Sequence, residues 1–315
     1  MKKPIVVLTG PTAVGKTELS IQLAKAIGGE IISADSMQVY KYMDIGSAKI
    51  TPEEMDGVRH YLVDELEPFD EFHVVKFQEY AQKYLNEIYA HGKIPIIAGG
   101  TGFYIQALLN DIDFTEQESD SAYRKELEAL AEEHGNQYLH DRLKEVDPES
   151  AEAIHPNNRK RVIRALEFYQ ETGRKISEHN AKEQMRTSPY NFAYFVLNDE
   201  RSHLYKRIDA RVDKMIEDGL EAEVRRLKEM GCTKDMVAMQ GIGYKEMLSY
   251  LDGGYSLEEA VYIIKRETRH FAKRQITWFK RERDVIWLNK NEFDYKNEAI
   301  LAYMIKILKE KAIIS

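Results

Sequence analysis

A single cysteine, Cys232, stands among 315 residues. It excludes an internal disulfide and any zinc site built on several thiolates, and it reads as a small core or surface residue rather than a reactive thiol. The nine histidines show no HExxH or comparable ligand spacing, so no zinc centre is expected. No apolar run approaches the roughly 20 residues needed to span a bilayer. The N-terminal MKKPIVVLTG has two lysines and a short apolar run, but the residues after Gly10 read as a phosphate loop rather than a cleavage site. A cytoplasmic protein without membrane attachment is expected. Internal repeats, low-complexity tracts and Pro-rich linkers are missing too. Positive charge is in short supply: 45 Lys and Arg against 53 Asp and Glu leave a net charge of −8. Nucleic acid would therefore meet no whole-molecule attraction, and any binding to it must come from local basic patches.

What is present is apolar material for a core, 43% of the chain, in a length that allows one large domain or two ordinary ones. Pro4 to Thr9 is a short β-branched run of the kind that forms a buried parallel strand. Leu19, Leu23, Ala26 and Ile27 recur at helical spacing. Glu30 to Ser33, His60 to Val63 and Lys93 to Ala98 read as further strands, with a helix from Val74 to His91 between the last two. Strand and helix alternate, which predicts an α/β fold with a parallel sheet and helices on both faces.

The pattern changes near Asp111. An acidic start (Asp111, Asp113, Glu116, Glu118, Asp120) leads into helices without strand signal, and a basic stretch comes later at Arg159, Lys160, Arg161 and Arg164. From Phe192 to Leu197 the apolar strand character returns. Leu204, Ile208, Val212 and Met215 mark a long amphipathic helix, another runs from Leu257 to Arg281, Val285 to Leu288 reads as a last strand, and the tail is helical. The expected organisation is a core of residues 1–112 and 190–315 interrupted by a helical insertion at 113–189.

Chemistry enters at Gly10, Pro11, Thr12, Ala13, Val14, Gly15, Lys16 and Thr17, which fit G-x-x-x-x-G-K-[ST] between a strand and a helix. The glycines let backbone N–H groups turn inward around phosphate oxygens, Lys16 adds a point charge, Thr17 suits Mg²⁺, and the helix presents its positive end. A diphosphate or triphosphate is expected there. A typical ATPase has a second strand ending in Asp to help hold Mg²⁺. Here the strand Ile94 to Ala98 ends in Gly99, Gly100, Thr101 and Gly102. A hydroxyl replaces the acid, which argues for a diphosphate leaving group over ATP hydrolysis, although those glycines also fit a plain tight turn. The nearest acid, Asp35, comes just after the second strand and faces the ligand end of such a sheet. As general base, water-mediated Mg²⁺ ligand or helix cap it remains open at this point.

The series GPTAVGKT, DSMQVY, MDIGSAK and GGTGFY resembles the bacterial tRNA dimethylallyltransferases. The likeness continues through Arg159–Glu167, Gln240–Glu246, and Thr268-Arg269 with Lys273–Phe279, and so spans residues 5–288. Ser47 stands where many relatives have Thr, and the zinc-finger tail of some eukaryotic relatives is absent.

The resemblance implies transfer of a dimethylallyl group from dimethylallyl diphosphate to the N6 amine of the adenosine beside the anticodon of tRNA, in a P-loop fold. It gives Asp35 as general base, Thr101 at the reacting region, Arg211 with the loop 10–17 on the diphosphate, and Thr17 on Mg²⁺. It gives the tRNA anticodon stem-loop as partner, facing Asp35, Ser36, Met37 and Gln38, then Thr101, Arg124, and Arg159, Lys160, Arg161, Val162 and Ile163. It adds Gln240, Gly241, Ile242, Gly243, Tyr244 and Lys245, and finally Lys273, Arg274, Gln275, Ile276, Thr277, Trp278, Phe279 and Lys280. A monomer is expected. Two features read from the residues agree with an RNA partner: Gln38, whose amide can pair a donor and an acceptor, and the segment Lys265–Arg283, with eight basic residues against two acids. Lys265, Arg269 and Lys273 lie four apart and would share one helical face. A kinase of a nucleoside or small metabolite is the competing reading of the loop.

Overall fold

The β-branched runs become strands buried on both faces, which is why they read as continuous apolar segments rather than alternating ones. The computed structural model describes residues 2–112, 122–184 and 186–314. Asp113, Glu116, Glu118 and Asp120 of the acidic stretch lie outside the described residues. The strands are β1 (Lys3–Thr9), β2 (Gly29–Ala34), β3 (His60–Tyr61), β4 (Ile94–Gly99), β5 (Tyr190–Asn198) and β6 (Val285–Asn289). They form one parallel sheet in the order β3-β2-β4-β1-β5-β6.

Alternate residues of each strand face opposite ways. Ile5, Val7, Ile32, Ile97, Tyr194 and Val196 pack with Phe77, Leu85, Tyr104, Tyr244 and Phe279. Val6, Leu8, Ile31, Ile96, Phe195 and Leu197 pack with Leu19, Leu23, Ile208 and Met304. Helices therefore cover both faces, as the alternation of elements predicts. Each fully buried Leu, Ile or Phe contributes about 1.5–3 kcal/mol relative to exposure.

The third strand is shorter than its apolar run. It stops at Tyr61 because Leu62 and Asp64 take left-handed backbone, φ 62° and 57°, and the Leu62 N–H donates to the Glu65 carboxylate at 2.6 Å instead of to a ladder. The glycine-rich exit of β4 is likewise not only a turn: Gly102 opens a helix running to Asn110. Helices at Leu220–Glu229 and Tyr244–Leu251 also emerge between segments read from the sequence. Cys232 is buried, and burial raises its thiol pKa, which suits a packing role.

Two units separate, one of Met1–Leu109 with Pro189–Ser315 and one of Asn110–Ser188. Among its described residues the second holds helices and no strand, the helices being Ala122–His134, Asn136–Val146, Pro148–Ala153, Arg159–Thr172 and Ile176–Gln184. Its own core is built from Leu127, Leu139, Leu143, Val162, Ile163 and Leu166. Among the described residues, no helix is long and apolar enough to cross a membrane.

Candidate active site

The register of the sheet brings four chain exits together. Thr9 pairs with Gly99 on one side and Val196 on the other, and Ala34 also pairs with Gly99. Ligands gather at the carboxyl ends of strands in such sheets, and here the loops after β1, β2 and β4 converge.

The loop Gly10–Gly15 depends on backbone that side chains would block. A Cβ on Gly10, at φ 149°, would lie 2.2 Å from the Leu197 carbonyl oxygen. Ala13 holds a left-handed φ of 63°. Lys16 Nζ donates to the carbonyls of Gly10 at 3.0 Å and Pro11 at 2.9 Å, which fixes the ammonium across the loop. Burial pushes its pKa down to about 8, the Arg211 cation adds to the fall, and the Asp35 carboxylate opposes it. Arg211 is also depressed by burial, with Asp35 opposing and Arg207 adding. Lys16, Arg211 and Asp35 thus share one electrostatic neighbourhood: two cations and one acid at the mouth of a phosphate-type loop.

Asp35 is half-buried, and its Oδ1 accepts the N–H groups of Met37 at 2.8 Å and Gln38 at 3.4 Å. One oxygen therefore orders the segment after β2, and among the described residues the other takes no hydrogen bond. The carboxylate caps its own turn with one oxygen and keeps the other for a ligand. Thr101 donates its N–H to Ala34 at 3.1 Å and stands at the start of the helix Gly102–Asn110, so the exits of β2 and β4 are joined beside Asp35. Gly99 is required there, because a Cβ would fall 2.3 Å from the Ala34 oxygen.

Thr17 is exposed in the first turn of its helix. Among the described residues no group of three His, Cys, Asp or Glu side chains is placed to hold a metal. A single hydroxyl oxygen fits a hard ion such as Mg²⁺ only when phosphate oxygens and water complete the coordination. The donor set thus fits Mg²⁺ carried with a diphosphate, not a resident metal cage.

The segments named as RNA-facing do not all face outward. Ser36, Met37 and Gln38 are half-buried at the site, and Gln38 Nε2 donates to the Ala48 carbonyl at 3.2 Å. Gln240 and Lys245 are exposed, and Gly241 and Ile242 half-buried, but Gly243 and Tyr244 are buried. A Cβ on Gly241 would meet Met37 Cε at 2.6 Å, so these two segments pack on each other. On the helix Leu257–Phe279, Lys273, Arg274 and Thr277 are exposed, with Lys280 just beyond it; Ile276 and Trp278 are half-buried, and Gln275 and Phe279 are buried. Tyr244, Gln275 and Phe279 thus occupy interior positions, since each lies on the apolar stripe of its helix. Trp278 lies against Gly102, where a Cβ would come within 2.3 Å of its ring.

Two cations of the shared basic face have acidic partners. Lys265 pairs with Asp213 and Arg269 with Asp209, both on the helix Arg201–Glu217. They serve helix packing, and the unpaired cations of the helix Leu257–Phe279 begin at Lys273. In the helical insertion, Lys160 and Arg161 are exposed, whereas Val162 and Ile163 are buried in its core. Arg159 bonds the Glu128 carbonyl and the Glu132 carboxylate, and Arg124 pairs with the buried Glu167 at 3.2 Å.

Two functional-looking groups escaped the sequence. Glu223 is buried and accepts the N–H groups of Asp44 at 2.8 Å, Ile45 at 2.7 Å and Gly46 at 3.0 Å. Arg207 Nε donates to the Ala13 carbonyl at 2.8 Å, bracing the loop from outside. The signal for Glu223 was an acid inside an apolar stripe (Leu220, Val224, Leu227), where a solvated charge has no place.

The chain matches the IPP transferase family over residues 38–282. It is 64% identical over 313 residues to a tRNA dimethylallyltransferase of Lachnoclostridium phytofermentans, covering 99% of each chain. Among solved structures, it resembles the full-length tRNA isopentenylpyrophosphate transferase of Bacillus halodurans at 46% identity and TM-score 0.74, covering 99% of this chain and 98% of that one. It also resembles a eukaryotic dimethylallyltransferase described as acting on tRNA, at 33% identity and TM-score 0.79, covering 91% of this chain and 74% of that one.

Proposed function

The chain belongs to the IPP transferase family, and from that premise we propose that it is a tRNA dimethylallyltransferase using dimethylallyl diphosphate as donor. The acceptor is the N6 amine of the adenosine on the 3′ side of the anticodon, and diphosphate is released. The observation that carries the reading is the convergence of the loop Gly10–Thr17 with Asp35 and Thr101 at the carboxyl ends of β1, β2 and β4, where Thr101 is bonded to Ala34.

An aromatic exocyclic amine is a poor nucleophile. As its nitrogen bonds to the allylic carbon, the C–O bond breaks and the electron pair leaves with the diphosphate, while Asp35 takes the amine proton. Lys16, Arg211 and the amides at the start of the helix Lys16–Ile27 stabilise the charge growing on the leaving group. Mg²⁺, held by Thr17 and the diphosphate oxygens, would supply further neutralisation. Thr101, joined to the exit of β2, borders the reacting region.

The target base must leave its stack to reach this site. Gln38 suits its edge: its Nε2 is already turned toward Ala48, which orients the amide and leaves Oε1 for an amine. Lys273, Arg274 and Lys280 provide the local positive surface that an acidic chain needs for RNA. Lys160 and Arg161 of the helical insertion provide another. A cytoplasmic, monomeric enzyme completes the proposal.

The test is incubation of the purified protein with labelled dimethylallyl diphosphate and unmodified tRNA, with γ-labelled ATP as control donor. Label appearing on adenosine only with the allylic donor is expected. Label transferred from ATP to a small molecule would return the loop to the kinase reading.

A further inference from the structure

Gln275 lies on the helix that exposes Lys273, Arg274 and Thr277, yet it points the other way and is 6% exposed. Its Oε1 accepts the N–H of Thr12 at 2.9 Å, and its Nε2 donates to the carbonyl of Gly100 at 2.9 Å. One carboxamide thus spans the phosphate loop and the turn that precedes Thr101. A carboxamide suits this, with an acceptor and a donor on one planar group. A carboxylate would face the Gly100 oxygen with a second oxygen, and a thioether would serve neither partner.

An independent observation points to the same role. A Cβ on Gly100 would come within 2.4 Å of Gln275 Nε2, and its next neighbours are 3.6 Å or more away. Gly100 is therefore glycine because the amide occupies that space. At the other end, the Thr12 N–H is committed to Gln275 and is not offered to an anion. The amides at the start of the helix Lys16–Ile27 are the ones a helix N-terminus leaves to a ligand. Lys16, bonded to the Gly10 and Pro11 carbonyls, and Gln275, bonded to Thr12, together fix the first half of the loop.

We infer that Gln275 is a positioning residue that sets the phosphate loop against Thr101, so that diphosphate and reacting carbon are held in one geometry, and that it is not a contact to RNA. This rests on the proposed reaction, in which the loop binds diphosphate.

The test measures three quantities for the full chain: binding of inorganic pyrophosphate by calorimetry, the donor KM and kcat, and the tRNA dissociation constant. Q275M and Q275E are expected to weaken pyrophosphate and raise the donor KM roughly tenfold, the effect of losing one or two hydrogen bonds. Affinity for tRNA stays within about twofold, because Lys273, Arg274 and Thr277 are untouched. G100A, which displaces the amide without altering it, reproduces the defect. Q275A with G100A is no worse than Q275A alone, since the added methyl enters vacated space. Pyrophosphate binding as in the wild type, or lost tRNA affinity with unchanged pyrophosphate binding, overturns the assignment. So does failure of all the variants to melt as folded proteins, which would make Gln275 a residue of general stability. Wild-type protein that binds no pyrophosphate would instead sink the proposed function itself.

Discussion

The Tyr244 hydroxyl donates to the Glu223 carboxylate at 2.8 Å, and that carboxylate also receives three consecutive N–H groups, from Asp44, Ile45 and Gly46. The turn after Gln38 is thereby pinned to the motif that contains Tyr244. Burial, and then the Glu223 charge, push the tyrosine pKa well above 10, so the hydroxyl stays a donor. E223Q keeps the volume but sets an NH₂ group among donors. It is expected to cost about 1–3 kcal/mol, the penalty of leaving buried polar groups unsatisfied. G46A is expected to be comparably harmful, as its Cβ would fall 2.6 Å from the Tyr244 ring. Chemical denaturation checks both, and an E223Q midpoint equal to that of the wild type would refute the anchor.

The range of the interactions explains why some of this was legible in the sequence and some was not. The loop 10–17 is local: its glycines, lysine and hydroxyl fix strand, turn and helix within a few residues. The sheet was readable from strands buried on both faces. What stayed hidden were partners far apart in sequence. Glu223 serves residues 178 and 179 positions away, at Ile45 and Asp44, and Gln275 reaches Thr12 across 263. Periodicity places a polar residue on an apolar stripe but does not say what it meets. Lys265 and Arg269 show the converse. Spacing put them on one face with Lys273, and only the neighbouring helix decides that Asp213 and Asp209 neutralise them.

The depressed Lys16 has a pH consequence. A diphosphate binds the ammonium form, and burial brings that group's pKa down to about 8, with Arg211 assisting and Asp35 opposing. Pyrophosphate affinity is therefore expected to fall as pH rises through about 8, with proton uptake on binding above that point. K16R remains charged throughout, so its affinity, whatever its absolute value, loses this slope. Calorimetry in buffers of different ionisation enthalpy measures the proton uptake; a slope shared by both proteins would assign the titration to another group.

The exposed cations after Arg269 carry a salt prediction. Lys273 and Arg274 form no ion pair among the described residues, although Arg274 lies over the Phe271 ring at 5.8 Å. K273A with R274A is expected to weaken tRNA binding and to reduce the slope of log affinity against log salt by roughly 1–2, about one counterion per lost phosphate contact. K265A with R269A should leave that slope alone and lower the melting temperature instead. Equal slopes in the wild type and the first double variant would show that this face does not meet phosphate.

Glu282 predicts a stability trend of opposite sign to that of most surface acids. Burial raises its pKa from 4.5 to about 7, and Gln106 Nε2 donates to its Oε1 at 3.1 Å. Between pH 4.5 and about 7 the folded chain binds this proton more tightly than the unfolded chain. Its contribution to stability thus falls as pH rises through that window. E282Q, which does not titrate, is expected to gain on the wild type from pH 5 to pH 8 in urea denaturation. A constant difference between the two proteins across that range would contradict the buried-acid assignment.

The decisive variant for the chemistry is D35N rather than D35A. Asp35 Oδ1 holds the Met37 and Gln38 N–H groups, so alanine would disturb the base-facing segment as well as remove the acid. Asparagine keeps a carbonyl oxygen for those two donors but has neither the negative charge that faces Lys16 and Arg211 nor the capacity to take a proton. Its turnover is expected to fall by about 10²–10⁴, the usual worth of a general base, while tRNA affinity and the donor KM stay within a few-fold. D35A should show the same loss of turnover together with weaker tRNA binding, because Gln38 loses its support. If D35N turns over at the wild-type rate, the amine proton leaves by another route and Asp35 is reduced to the cap of its own turn.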